Sequence, residues 1–330
     1  MENKNKKNIN RSQLIMIERQ KQIKREKKII LFASILIFFI TISIFVTLGY
    51  NKYGKYIYAS AKINQNNHDE DIEELLNNDD NLPENNHDYL SLADDPNAED
   101  AIKVFKNTEG LLKGQKQYPV RKDGKKVAYL TFDDGPSTEN TKYILNILDE
   151  YNVKATFFVT GSSVEENEQT KKLLKEEVSK GHAIGNHTYS HNYKKLYPGN
   201  VIDAQGFMNE IEKTNKVLKE VLGDEFNTRV IRFPGGYWSW EGRSKVRPLI
   251  DEKGYAIMDW NALNKDSEGK TKNASELFQC LKETVENLGP DADSVVILMH
   301  DTYGKRETVR ALPNIIKYLE REGFEFKTIK

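Results

Sequence analysis

The chain has 330 residues, and its formal net charge of -1 conceals an uneven distribution of charge. Residues 1–28 contain ten Lys or Arg and three acidic residues, whereas residues 63–100 contain thirteen Asp or Glu and no Lys or Arg. Residues 101–330 contain 36 basic and 34 acidic residues, a balance that argues against a large nucleic-acid-binding surface. The single cysteine, Cys280, excludes an intrachain disulfide framework and any cysteine-rich metal site.

A basic tail, residues 1–28, precedes an uncharged apolar segment at residues 29–50. These 22 residues are enough to cross a membrane, which takes about 20. As a helix, the segment would be apolar on all sides and not on one face only. The segment therefore predicts a single transmembrane signal-anchor helix, with a cleaved signal peptide as the alternative. The excess of Lys and Arg before it places the tail in the cytoplasm and the rest of the chain outside.

Residues 51–100 are predicted to form an acidic, extracytoplasmic linker rich in Asn and Asp. From Asn64 onward this stretch has few apolar residues and two prolines, Pro83 and Pro96, so it cannot bury enough apolar surface to offset the entropy lost on ordering. A lead-in segment, residues 101–124, then connects the linker to a folded domain at residues 125–330.

From residue 125 onward, short apolar or β-branched runs alternate with longer helical patterns, which is typical of parallel β/α units. About seven strands in roughly 200 residues predict a distorted or incomplete (β/α) barrel, with a doubly wound open sheet as the alternative. In either fold, chemistry is expected at the carboxyl ends of the strands. The predicted strands are 127–132, 155–160, 182–185, 229–233, 256–260, 294–299 and 325–329, and the predicted helices are 137–151, 165–180, 204–222, 242–253, 274–288 and 308–322.

Two of the predicted strands lead into residues suited to metal chemistry. The first is followed by Asp133 and Asp134, and the third by His187 and His191. Two histidines four residues apart can place both imidazoles on one side of a helical turn, as a first-row metal requires. With one aspartate they form a set that suits zinc-type hydrolysis or a non-haem iron oxygenase. The second carboxylate, Asp133, favours hydrolysis because it can act as a base.

Two other strand ends add candidate catalytic groups. His300 follows an apolar strand and is a candidate general acid. Arg232 can hold Asp133 ionised through a charged hydrogen bond. The turn at Gly235 and Gly236 lets backbone N–H groups approach a substrate closely and stabilise an oxyanion.

Taken in order, these motifs resemble those of the polysaccharide deacetylases of carbohydrate esterase family four, the NodB-homology domain. The resemblance covers residues 125–330. It rests on TFDDG at 131–135, H-[ST]-x-x-H at 187–191, R-x-P-x-G at 232–236 and L-x-H at 298–300.

The resemblance implies that Asp134, His187 and His191 bind one divalent metal ion. Zn²⁺ is the expected ion, with Co²⁺ or another first-row metal as the alternative. It also implies that Asp133 is the general base toward a metal-bound water and that His300 is the general acid.

Further residues would assist this chemistry. The resemblance implies that Arg232 tunes Asp133, that the N–H of Gly235 helps to hold the tetrahedral oxyanion, and that Leu298 lines the acetyl pocket. Two aromatic residues that follow a strand end, Tyr237 and Trp238, are predicted to bind substrate by stacking on sugar rings.

The fourth motif of the family is altered in this chain. Many members carry W-N-x-D-x-x-D-W, whose first Asp pairs with the catalytic histidine and whose last Trp walls the acetyl pocket. Leu263 and Ser267 occupy those two positions here. Either Asp266 or Asp259 is expected to pair with His300 instead.

These observations predict a membrane-anchored, metal-dependent hydrolase that removes acetyl groups from N-acetylhexosamine residues of a cell-surface polysaccharide. Peptidoglycan of the cell wall is the first candidate substrate, and other N-acetylglucosamine polymers remain open. An O-acetyl esterase acting on another polysaccharide and a catalytically inactive glycan-binding domain are the alternatives. No nucleic-acid partner is expected.

Overall fold

The computed structural model describes residues 89–112 and 121–330. The predicted tail, the predicted membrane span and most of the predicted linker lie outside these ranges. Within them, no helix combines the length and the apolar character that crossing a membrane requires.

The described residues contain ten strands, and eight of them form one parallel sheet. Seven of the eight follow the order β6-β5-β4-β3-β2-β8-β7, and the eighth, β9, pairs with β2. The strands are β1 Ala98–Glu99, β2 Lys126–Asp133, β3 Thr156–Val159, β4 Ala183–Asn186, β5 Val230–Ile231, β6 Ala256–Ile257, β7 Ala262–Leu263, β8 Ser294–His300, β9 Phe324–Phe326 and β10 Thr328–Ile329. Every predicted strand has a counterpart, and the short strands β1 and β7 were not predicted.

Nine α-helices lie in the described ranges, and they include all six predicted helices. The largest difference is at the start of the first predicted helix, because the Ser137 hydroxyl donates to the carbonyl of Asp301 (2.5 Å) and the residues before Thr141 form a turn. The helices are α1 Ala101–Leu112, α2 Thr141–Glu150, α3 Gly161–Val164, α4 Glu168–Ser179, α5 Tyr193–Leu196, α6 Ala204–Leu222, α7 Arg243–Glu252, α8 Ala274–Glu286 and α9 Arg306–Arg321.

The prediction of an incomplete (β/α) barrel is confirmed, and the opening lies between the two edge strands, β6 and β7. Residues 258–261 cross this opening. At one edge the N–H of Met258 donates to Ile231 (2.9 Å), and at the other the N–H of Asn261 donates to Val296 in β8 (3.0 Å). An irregular chain segment therefore bridges the gap that a pair of hydrogen-bonded strands fills in a closed barrel.

Two side-chain layers arise from the alternation of residues along the strands. On β2, Leu130 and Phe132 belong to the large apolar cluster that contains residues of the outer helices, whereas Tyr129 belongs to a second cluster with Phe158 and residues of α1. The side chain of Val104 in α1 is fully buried in that second cluster. Helix α1 therefore covers the interior of the barrel.

The chain before α1 is attached at the amino ends of the strands. β1 pairs with β10, and the Lys330 ammonium lies 2.8 Å from the Asp95 carboxylate in a nearly buried ion pair. Asp100 pairs with Arg229, directly before β5. The prediction of a linker that continues to residue 100 is thus wrong for residues 89–100. This segment has little apolar surface, and strand pairing and ion pairs with distant residues hold it instead.

The last predicted strand, 325–329, is divided in two. β9 pairs with β2 and β10 pairs with β1. Lys327 lies between them, and its N–H still donates to Ala128 in β2 (3.2 Å). The change of partner at this residue joins the main sheet to the segment that precedes α1.

If α1 is part of the core, replacing Val104 with Ala should lower the free energy of unfolding by about 1–3 kcal/mol, because it leaves a cavity inside the barrel. Replacing Ile102, which is 43% exposed on the same helix, with Ala should change it by less than about 0.5 kcal/mol. Denaturant unfolding of both variants measures the difference. Equal effects at the two positions would contradict the assignment of α1 to the core.

Candidate active site

Side chains from four strands meet at the carboxyl edge of the sheet. Asp133 ends β2 and Asp134 follows it, His187 follows β4, Arg232 follows β5, and His300 ends β8. All of these except Arg232 line one cavity of about 370 Å³. The prediction that the functional groups lie at strand ends is therefore confirmed, and the parallel arrangement brings them together.

Asp134, His187 and His191 form a cluster with the dimensions of a metal site. The Asp134 Oδ1 atom lies 3.4 Å from Nε2 of His187 and 3.3 Å from Nε2 of His191. A tetrahedral ion about 2.0–2.1 Å from each nitrogen or oxygen ligand holds those ligands about 3.3 Å apart. Oδ1 is buried and has no hydrogen-bond partner among the described residues. The three residues therefore fit a divalent metal ion.

The segment from His187 to His191 is a turn and not the helical turn that the spacing predicted. Thr188 (φ 68°) and His191 (φ 48°) adopt left-handed conformations, which a helix does not allow. The carboxylate of Glu210 accepts the N–H of Ser190 (2.6 Å) and fixes this turn. Left-handed non-glycine residues cost about 1–3 kcal/mol each and often mark functional sites.

The orientation and charge of the His187 ring suit a metal ligand. Its Nδ1 atom lies 2.9 Å from the carbonyl oxygen of Arg232, so Nδ1 carries the proton and the lone pair of Nε2 faces the cluster. Burial lowers the pKa of His187 to about 3, so the ring is neutral at physiological pH. Only the neutral imidazole can donate a lone pair to a metal.

Asp133 and Arg232 form a buried ion pair beside the cluster. The Arg232 Nη1 atom donates to Oδ1 of Asp133 (2.6 Å) and to the Thr131 hydroxyl (2.8 Å). The other carboxylate oxygen, Oδ2, lies 3.5 Å from Nε2 of His187. Burial raises the pKa of Asp133, and the charge of Arg232 opposes this increase. One oxygen is thus held by Arg232, while the other faces the metal-ligand cluster.

The structure identifies the partner of His300. Its Nδ1 atom lies 2.7 Å from Oδ1 of Asp266, and its backbone N–H donates to Oδ2 of the same carboxylate (3.0 Å). Burial alone would lower the pKa of His300, but the hydrogen bond and the charge of Asp266 raise it to about 9. The other candidate, Asp259, instead accepts the N–H of Tyr237 (3.0 Å). Ser267 adds a contact of 3.2 Å to Nδ1.

Of the residues predicted to contact substrate, Gly235, Leu298 and Asp266 line the cavity, whereas Tyr237 and Trp238 do not. The prediction for Tyr237 is corrected because its ring is buried, packed edge-on against Phe233 at 5.1 Å between centroids. A 3₁₀ turn at Tyr237–Ser239 directs that ring into the core. Trp238 is 37% exposed and lies outside the cavity lining.

Other cavity residues were not predicted. Tyr193 lines the cavity two residues after His191, and Trp260 lines it at the position of the first Trp of the fourth motif. Their proximity in sequence to recognised motifs was the available signal. Lys265, Ser267 and Glu268 line the side of the cavity that the altered fourth motif forms.

The incomplete (β/α) barrel and the site at its strand ends define the class of this protein. The chain belongs to the polysaccharide deacetylase family, carbohydrate esterase family four. The family's sequence profile matches residues 120–253. A peptidoglycan-N-acetylglucosamine deacetylase of Bacillus cereus is 34% identical over 217 residues, which are 64% of this chain and 73% of that protein. A peptidoglycan-N-acetylglucosamine deacetylase of Listeria monocytogenes is 32% identical over 213 residues, which are 64% of this chain but only 40% of the relative.

The fold is also similar to a solved structure of the same family. A Streptococcus mutans CE4 esterase superposes with a TM-score of 0.63 and 32% sequence identity, over 71% of this chain and 92% of that one. The similarity thus covers almost the whole of that solved chain.

The geometry predicts separate roles for neighbouring residues in metal binding. Replacing His187 with Ala should weaken zinc binding by more than about 100-fold, because one of three ligands is lost. Replacing Asp133 with Asn should leave one zinc site per chain, because Asp133 lies beside the ligands and is not one of them. Calorimetric titration with ZnCl₂ measures both, and loss of the zinc site in Asp133→Asn would contradict this division.

Proposed function

We propose that the protein is a metal-dependent deacetylase that acts on N-acetylglucosamine residues of peptidoglycan. One observation carries the proposal: the metal-ligand cluster, Asp133 with its partner Arg232 behind it, and the Asp266–His300 pair occur together around one cavity. The relatives named as peptidoglycan deacetylases support this choice of substrate.

The residues of the cavity fit amide hydrolysis. Asp134, His187 and His191 would hold a divalent ion, which when bound would supply Lewis-acid chemistry that polarises a carbonyl group and makes water easier to deprotonate. The Oδ2 atom of Asp133 is free of Arg232 and accepts the proton of the attacking water. Its raised pKa makes it a stronger base than an exposed carboxylate.

His300 supplies the proton that the leaving group needs. Because Asp266 holds Nδ1, the Nε2–H group faces the cavity, where Nε2 lies 3.9 Å from Oδ2 of Asp134. With a pKa of about 9 the ring is protonated near neutral pH and can deliver a proton to the leaving amine. The backbone N–H of Gly235 has no partner among the described residues and can donate to the developing oxyanion.

We further propose that residues 29–50 anchor the protein in the cell membrane, with residues 1–28 in the cytoplasm and the catalytic domain at the cell wall. The apolar length of this segment and the basic tail before it support the proposal. Extraction of membranes at alkaline pH tests it, because a spanning protein stays with the bilayer, whereas release into the soluble fraction would contradict it.

The enzyme should release acetate from purified peptidoglycan, should lose this activity after chelation and should regain it with Zn²⁺ or Co²⁺. The Asp133→Asn variant should lose about 10²–10⁴-fold in kcat, the usual contribution of general acid–base catalysis. Chitooligosaccharide and acetylated xylan are assayed alongside. Acetate from xylan alone would favour the O-acetyl esterase. No acetate from any of the three polymers by the zinc-loaded enzyme would contradict a deacetylase and favour a glycan-binding domain.

The pairing of His300 with Asp266 predicts a change in the pH profile. Replacing Asp266 with Asn removes the negative charge that raises the pKa of His300, so less of the ring is protonated at neutral pH. The alkaline limb of kcat should move to lower pH, and kcat at neutral pH should fall by about 100-fold. Asp259→Asn is the matched control and should leave that limb in place. A shift in the control instead would make Asp259 the partner.

A further inference from the structure

Tyr193 is held in a fixed position at the mouth of the cavity. It begins the short helix α5, where the side chain of Asn192 accepts the N–H groups of Lys194 and Lys195. The Tyr193 ring lies 5.3 Å from the His191 ring and packs edge-on against Trp240, also at 5.3 Å between centroids. Although 44% of the residue is exposed, these contacts restrict the ring.

The Tyr193 hydroxyl lies against Gly235. A Cβ atom placed on Gly235 would be 3.1 Å from the Tyr193 oxygen and 3.0 Å from the Trp240 ring. Gly235 also has a φ of +75°, which other residues rarely adopt. The absence of a side chain at Gly235 therefore makes room for this hydroxyl beside the backbone of residue 235.

Two hydrogen-bond donors in this place have no partner among the described residues. They are the backbone N–H of Gly235 and the hydroxyl of Tyr193. Both residues line the cavity together with the base, Asp133, and with the metal-ligand cluster. Hydrogen-bond donors fixed in advance in a reaction cavity can stabilise negative charge that develops on an oxygen.

We propose that Tyr193 is a catalytic residue that contacts the substrate: its hydroxyl, together with the N–H of Gly235, donates a hydrogen bond to the acetyl carbonyl oxygen as that oxygen gains negative charge. No bond to Tyr193 forms or breaks, and its proton stays on the phenol. This inference rests on the proposed deacetylase function. The sequence indicated only a backbone N–H, that of Gly235, as a donor to the oxyanion. The inference adds the side-chain hydroxyl of Tyr193 as a second donor.

The test compares Tyr193→Phe with the unchanged enzyme. The ring contacts with His191 and Trp240 remain, and only the hydroxyl is lost. We expect kcat for acetate release from peptidoglycan to fall by about 100-fold, as for loss of one oxyanion donor, with little change in KM. Zinc affinity should be unchanged. Tyr303→Phe is the matched control, because Tyr303 is also 44% exposed but donates its hydroxyl to Glu166 (2.7 Å) outside the cavity lining. It should retain full activity.

Each other result overturns the inference in a distinct way. Unchanged kcat in Tyr193→Phe would show that the hydroxyl has no catalytic role. A rise in KM alone would assign it to binding of the sugar, and a parallel loss of zinc affinity would assign it to positioning His191. If the unchanged, zinc-loaded enzyme released no acetate from peptidoglycan, chitooligosaccharide or acetylated xylan, the proposed function itself would fail, and the inference with it.

Discussion

The active site depends on one buried cation, the guanidinium of Arg232. Its side chain is fully buried, stacks 3.8 Å from the Phe158 ring and donates to Asp133 and to the carbonyl of Met258. The backbone carbonyl of Arg232 accepts a hydrogen bond from Nδ1 of His187. Arg232 therefore fixes the proposed base through its side chain and a candidate metal ligand through its backbone. Removing either member of such a buried pair costs about 3–5 kcal/mol because the remaining charge has no partner.

Asp133 and His300, the proposed base and acid, each have a partner of opposite charge. Asp133 shares its ion pair with Arg232 and lies deep in the cavity, whereas His300 is paired with the separate carboxylate of Asp266. Each titratable group therefore has its own counterion. In addition, the charge of His300 lowers the pKa of Asp133, and the charge of Asp133 raises the pKa of His300. A lysine in place of Arg232 would offer a single ammonium and could not reach Asp133, Thr131 and Met258 with the same rigid fork.

The sequence was sufficient for the barrel class and for placing the candidate metal-ligand and acid–base residues at one edge of the sheet, because buried parallel strands have recognisable apolar runs and their ends carry the polar motifs. It was not sufficient where contacts between distant residues decide the structure. β7 has two residues, too few to show a period, and depends on β8. The pairing of Asp95 with Lys330 leaves no local pattern.

The active site shows the same division. Asp133, Asp134 and the two histidines follow from their motifs, yet the four-residue spacing of the histidines suggests a helical turn where the structure has residues in left-handed conformations. Its conformation depends on Glu210, which belongs to another helix. Which of Asp259 and Asp266 pairs with His300 likewise depends on the path of the chain after the barrel opening, which the sequence does not show. Spacing along the sequence thus identified the chemical groups, and three-dimensional contacts decided which of them meet.

The attachment of residues 89–100 at the amino ends of the strands has a consequence for how the domain can be oriented. The cavity lies at the opposite ends, and the seven residues of β8 separate the two levels by about 20 Å. A pulling force or a rigid support applied through the upstream chain would therefore act on the end of the barrel where the strands begin. The cavity would face away from the point of attachment.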